Sequence, residues 1–349
     1  MPLSLTVTLT EKAMARKVTV ADIARKAGVS VMTVSRVINQ KEDVSPATRR
    51  RVQQIVDRMH YRPSGIARGL VTRQSGAIGL VIPDVSNPFF ADVALGAEHV
   101  AGAEGYNIYL CNTEEDPQRE LTVAYSLEEK RVDGIVLFSR LEAKRLNSIV
   151  ERHPAVVLIN RQIPKGENAR TVGAVRLDDV LGGRLAVRHL LQRGHRAIGF
   201  LAGPPASRSG NDREKGYRRT MEKAGVPFQE SWVAPCPPTV VGGQAAALQL
   251  LSDRPELTAI FCYNDLVAVG ALQACSEMGR NIPHDTAVCG YDDIPLAALV
   301  TPSLTTCRAP RYELGAQAMR LLLDQIRGSA KGRKEIVLQP QLVVRASAP

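Results

Sequence analysis

A chain of 349 residues is too long for one small domain and suits a small module joined to a larger body with a sizeable core. Its formal net charge of +10 is not spread evenly: residues 1–75 hold 14 basic and 5 acidic side chains, and the remainder holds 31 and 30. Charge alone leaves two readings open, a polyanion-binding head or a merely solvated basic surface. The six cysteines are scattered with no Cys-x-x-Cys pair, which excludes a signalled zinc site or disulfide framework and suits thiols in a reducing cytoplasm. No apolar run approaches the roughly 20 residues needed to span a bilayer.

Residues 1–10 are apolar but lack a basic flank and run into Glu11 and Lys12, so a signal peptide is not expected. Residues 1–16 read as a disordered extension. Thr19 and Asp22 form a capping-box signature, and Ile23, Ala24 and Ala27 recur at helical spacing before Gly28, predicting a first helix over 20–26. Ser30 caps a second helix whose Val34, Val37 and Ile38 face inward, leaving Met32, Thr33 and Arg36 outward. The short Gly-containing turn between them makes a helix-turn-helix, whose second helix enters the major groove. Ser45-Pro46 starts a third helix with Val52, Ile55, Val56 and Met59 on one face. The domain reading is a head over 17–62, a hinge over 63–75 and a body over 76–349. Gly65 and Gly69 weaken the hinge segment, since each glycine in a helix interior costs about 1 kcal/mol.

From Gly76 on, apolar runs at 77–82, 107–111, 134–138, 156–159, 197–201, 259–262 and 287–290 alternate with helical stretches such as 89–105 and 265–278. That alternation predicts a parallel α/β sheet. Catalysis finds no support. Gly182-Gly183 and Gly242-Gly243 lack the Lys-Ser/Thr of a phosphate loop, the histidines are dispersed, and no hydrolase or metalloprotease motif occurs. No catalytic residue, cofactor or metal is therefore expected.

Several phrases together resemble the lactose-repressor (LacI/GalR) family: VTVADIARKAGVSVMTVSRVIN at 18–39, VSPATR at 44–49, YRPS at 61–64, GLVIPDVSNPFF at 79–90, KRVDGI at 130–135, RGHRAIG at 193–199, Asn264-Asp265 and GYDD at 290–293. The resemblance covers the chain from Val18 onward. It implies an all-α helix-turn-helix head with a hinge helix, and an α/β two-lobed body like periplasmic sugar-binding proteins. By the same resemblance, Val31, Met32, Thr33 and Arg36 contact DNA and Leu70 wedges into the minor groove. Arg36 suits a guanine edge, or alternatively clamps a phosphate. Met32 offers only apolar contact, for instance to a thymine methyl.

In the body, the resemblance implies that Phe89 and Phe90 wall the effector cleft, with Arg213 as basic anchor, Asn264 as polar contact and Asp292 as acceptor. Ser207 and Ser209 lie in the adjoining loop. Arg and Asp would clamp hydroxyls while an aromatic face packs on a sugar ring. Core packing for one phenylalanine, and a surface place for Arg213, remain open at this point. The implied whole is a cytoplasmic, allosteric repressor with no enzymatic activity. It would bind near-palindromic operator DNA and a sugar-like effector as a homodimer, without a membrane role. A sugar-transport component and a sugar kinase are the rivals, disfavoured by the basic head and the missing phosphate loop. No leucine heptads follow the last strand, so a tetramer built on a C-terminal coiled coil is not expected.

Overall fold

The computed structural model describes residues 18–38, 41–61, 74–163, 172–329, 332 and 334–349. Residues 62–73, which hold most of the hinge read over 63–75 and include Leu70, lie outside them, as do residues 1–17. Chain contacts divide the protein between Arg73 and Gln74 into two compact units.

The first unit holds three helices, α1 (Val20–Ala27), α2 (Val31–Ile38) and α3 (Pro46–Arg58). Thr19 caps α1 in a complete capping box with Asp22. Gly28 ends it at φ 63°, a left-handed turn that glycine takes without a Cβ penalty. Ile23, Ala24, Ala27, Val34, Val37, Val52 and Val56 interlock as its core. Ser45 accepts the Thr48 N–H and Pro46 takes the first turn of α3, as its spacing predicts.

The second unit carries two six-stranded sheets. The first lobe contains β1 (Ala77–Ile82), α4 (Pro88–Ala103), β2 (Asn107–Asn112), α5 (Pro117–Glu129), β3 (Gly134–Phe138), α6 (Ala143–Arg152), β4 (Val156–Ile159) and β5 (Gly173–Leu177). The second contains α7 (Asp179–Gln192), β6 (Ile198–Ala202), α8 (Arg208–Lys223), β7 (Val233–Pro235), α9 (Val240–Asp253), β8 (Ala259–Cys262), α10 (Asp265–Glu277), β9 (Ala287–Asp292), α11 (Pro295–Leu299) and β10 (Thr305–Arg308). The chain then returns with α12 (Arg311–Ile326) and β11 (Lys334–Leu338) to the first sheet, and ends with β12 (Gln341–Val343) in the second.

The sheet orders are β11-β5-β4-β3-β1-β2 and β12-β10-β9-β8-β6-β7. Each lobe thus repeats one doubly wound order with one late strand added at an edge. All pairings are parallel except β10 with β12. Strands β1, β3, β4, β6 and β8 are buried along their whole length, as parallel strands covered on both faces must be. In such sheets ligands bind beyond the carboxyl ends of the strands, where the strand order reverses.

Candidate effector cleft and DNA-reading helix

On α2, Val34 and Val37 are buried while Val31 and Met32 are 52% and 65% exposed. Apolar side chains so placed gain nothing from burial in the free head. Thr33 is half-buried, and its hydroxyl is bonded to that of the cap residue Ser30 at 2.9 Å. Arg36 is exposed and pairs with Asp43 at 2.6 Å, a partner that the spacing of the sequence did not reveal. Both members of that pair are about half exposed, so it is worth no more than about 1 kcal/mol and does not lock the guanidinium in place.

In the body, a cleft enclosing about 740 Å³ of space continuous with solvent lies between the lobes. Phe89, Phe90, Ser207, Ser209, Arg213, Asn264 and Asp292 all line it. The walls come from strand ends: Pro83 after β1, Ser139 and Arg140 after β3, Asn160 and Arg161 after β4, Ala206 to Ser209 after β6, Pro238 after β7, Tyr263 and Asn264 after β8, and Asp292 closing β9.

The aromatic wall is three phenylalanines. Phe89 and Phe90 meet edge to face at 5.1 Å, and Phe138 meets Phe90 at the same distance. Phe89 is buried and Phe90 half-buried, so Phe90 presents more of its ring to the cleft. Two polar residues expected as contacts also hold the scaffold. Asn264 caps α10 by accepting the Val267 N–H at 2.8 Å, and Ser207 caps α8 while bonding the Tyr263 hydroxyl at 2.9 Å. Ser209 is half-buried beside them.

Arg213 is no surface residue. It is 3% exposed on α8, and its Nε donates to Asp179 at 2.9 Å and its Nη1 to the Tyr263 carbonyl at 2.5 Å. Its guanidinium lies 3.6 Å from the Tyr291 ring centre. Burial opposes the cation, but Asp179, Tyr291, Asp292 and Tyr263 around it outweigh that and hold it protonated.

Asp292 is in a different position. It is 5% exposed, its backbone sits at φ 110°, and its Oδ1 accepts no hydrogen bond, having only the Arg213 Nη2 at 3.8 Å. Asp179 takes the arginine's direct bond, so burial pushes the Asp292 carboxyl up to about 7, against the pull of Arg213 and Arg311. A buried acceptor without a donor costs roughly 1–3 kcal/mol. A ligand hydroxyl reaching this oxygen would remove that cost, which is what a recognition site needs.

The lobes are tied beside this point. Arg311, opening α12, donates to the Asp292 and Asp293 carbonyls of one lobe and to Asp92 on α4 of the other, the last at 2.8 Å. Sequence reasoning missed Arg311, Phe138, Tyr263 and the arginines 140, 161 and 208. Most of these sit directly at or after a strand's end, and that position was the available signal. Among the described residues no cluster of metal-ligating side chains occurs, and no helix is long and apolar enough to cross a membrane.

The description "Bacterial regulatory proteins, lacI family" matches residues 19–64, and "Periplasmic binding protein-like domain" matches residues 187–348. The HTH-type transcriptional regulator DegA of Bacillus subtilis is 37% identical over 331 residues, covering 95% of this chain and 98% of DegA. A transcriptional regulator CelR–cellobiose complex shares 31% identity at a TM-score of 0.72, over 95% of this chain and 99% of that one. The lac repressor dimer bound to operator and the anti-inducer ONPF superposes with a TM-score of 0.85 at 26% identity, over 95% and 99% of the two chains. The chain therefore belongs to the lacI family of bacterial regulatory proteins, as a transcription regulator with a helix-turn-helix head and a periplasmic-binding-protein-like body.

Proposed function

We propose that the protein is a cytoplasmic homodimeric repressor without enzymatic activity. Two copies of α2 would read successive major-groove segments of a near-palindromic operator, and a small hydroxylated effector in the cleft would control that affinity. The observation that carries this reading is the cleft itself. It brings an aromatic wall, a buried arginine and an unpartnered acceptor together between two lobes of a chain that also bears a DNA-reading head. The hinge around Leu70 would transmit lobe closure to the operator by wedging between base steps. The dimer reading draws support from β2, an edge strand that leaves Tyr109 and Leu110 nearly half exposed. An effector shifts the equilibrium only by its differential affinity for the open and closed lobes.

The DNA half is tested with Arg36→Ala. A bidentate contact to guanine is worth about 1–3 kcal/mol, which exceeds the exposed Asp43 pair the arginine gives up. Fluorescence anisotropy should therefore show a loss of that size on the operator and a much smaller loss on random duplex. Equal losses on both would make Arg36 a phosphate contact.

The effector half is tested with Asp292→Asn, which keeps the side chain's shape and suits its positive φ. Effector-induced thermal stabilisation should disappear. The carboxyl also carries a pH signature. Its ordinary value is 3.8 and its folded value about 7, so between those points unfolding releases its proton and stability falls as pH rises, levelling above about 7. Unfolding midpoints of the ligand-free wild type and Asp292→Asn should accordingly diverge between pH 5 and pH 8, with the variant gaining relative stability. Parallel pH profiles would show that Asp292 is ionised normally and is not held protonated by burial as described above.

A further inference from the structure

Two cationic side chains of the cleft are left over once the effector anchors are assigned. Arg140 is neutralised by Glu115 at 2.7 Å, and Arg213 by Asp179. Arg208, exposed in the first turn of α8, makes no hydrogen bond or close ion pair among the described residues; Asp212, a turn further on, feels its charge without bonding it. Arg161, half-buried after β4 in the opposite lobe, makes a single bond among the described residues, at 3.3 Å to the Ser139 carbonyl. Glu120, whose charge favours the Arg161 cation, is 2% exposed, accepts the Arg140 backbone N–H on Oε2 at 3.0 Å, and is held above the usual carboxylate range by burial. Burial and the Arg208 charge both act against the Arg161 cation, so the two guanidinium groups repel one another from opposite lobes.

The backbone adds to this bias. Asn87, Ser207 and Asn264 cap α4, α8 and α10, and all three caps line the same cleft. Three helix N-termini therefore present their partial positive charge to whatever occupies it. Among the described residues that line the cleft, the Asp292 Oδ1 is a buried acceptor without a donor and needs the opposite chemistry, a hydroxyl. A neutral sugar would satisfy the acceptor and leave both arginines unpaired.

We propose that the effector is a hydroxylated oxyanion, a phosphorylated sugar or a sugar acid, whose anionic group bridges Arg161 and Arg208 while a hydroxyl donates to Asp292. The inference rests on the cleft being the effector site and names the class of molecule it takes. A bound anion turns repulsion between the lobes into attraction, so the charge that gives specificity also drives closure.

The test uses the full-length protein and inorganic phosphate at constant ionic strength, read by the fluorescence of Trp232, the single tryptophan, which is buried in the second lobe and reports on the body alone. Saturable thermal stabilisation is expected in the wild type, at least tenfold weaker in Arg161→Gln and Arg208→Gln and largely kept in Arg208→Lys. No saturable response, or the same response in all four proteins, overturns the proposal. A second arm compares glucose, gluconate and glucose 6-phosphate, whose ranking tells carboxylate from phosphate. Equal affinities for the three, unchanged by Arg208→Gln, also overturn it. A neutral sugar that releases operator equally from wild type and Arg208→Gln would sink this inference alone. Phosphate binding as expected, with no cleft ligand moving operator affinity, would instead sink the effector reading and leave the anion site standing.

Discussion

Arg213→Ala is expected to destabilise the body by about 3–5 kcal/mol, because it strips the counter-charge from a carboxylate that cannot reach water. Asp179 is 5% exposed and takes the Arg213 Nε bond at 2.9 Å, and Asp292 is equally buried with the same guanidinium at 3.8 Å. Truncation also removes the bond to the Tyr263 carbonyl and the cation over the Tyr291 ring. Urea unfolding followed by Trp232 fluorescence reads the effect. Adding Asp179→Asn to Arg213→Ala should recover part of the loss, since the orphaned charge is then gone. A single variant with the wild-type midpoint would mean that Arg213 is solvated.

This expectation changes how the cleft is to be probed. Loss of effector response in Arg213→Ala would follow from damage to the lobe as readily as from loss of a ligand contact. Asp292 is the cleaner position, because its Oδ1 accepts no hydrogen bond among the described residues and Arg213 keeps its direct bond to Asp179 without it.

Elements whose signal is local were legible in the sequence. The apolar runs of β1, β3, β4 and β8 coincide with the strands, and the caps at Thr19 and Ser45 place α1 and α3. Strands β5, β7, β10, β11 and β12 were not read. β7 and β12 are three residues long, β5 and β10 each carry an arginine, and β11 is an edge strand with exposed Lys334, Glu335 and Val337. Each exists because a neighbouring strand pairs with it, which no window of sequence records. β9 runs on to Asp292, two residues past the apolar stretch, and that extension delivers the acceptor to the cleft. The cleft positions matched by resemblance do lie together. Arginines 161 and 208, which make no close ion pair among the described residues, were missed because their meaning depends on which carboxylates are already taken.

The glycine doublets were the sequence's most misleading feature, since Gly182-Gly183 and Gly242-Gly243 could be described only by the phosphate loop they fail to make. Packing supplies their reason. Gly183 on α7 lies against the Arg213 carbonyl and Gly216 on α8 against the Val180 carbonyl, while Gly243 and Gly270 do the same between α9 and α10. In the first lobe Gly96 on α4 meets the Tyr312 carbonyl and Gly315 on α12 the Val93 carbonyl. Three helix pairs therefore cross backbone to backbone through reciprocal glycines, and a Cβ at any of the six would fall inside a rigid carbonyl oxygen. Gly315→Ala should push α12 from α4 and cost about 3 kcal/mol, the upper end of ordinary overpacking, although alanine is the better helix former by about 1 kcal/mol. Gly102→Ala, on the exposed C-terminal turn of the same α4, meets only the tip of Glu98 at 3.5 Å and should instead be neutral or mildly stabilising. Urea unfolding by far-ultraviolet circular dichroism on the two variants separates the effects by sign. Equal midpoints would show that the helices are free to part, and that the glycine pairs do not set their crossing.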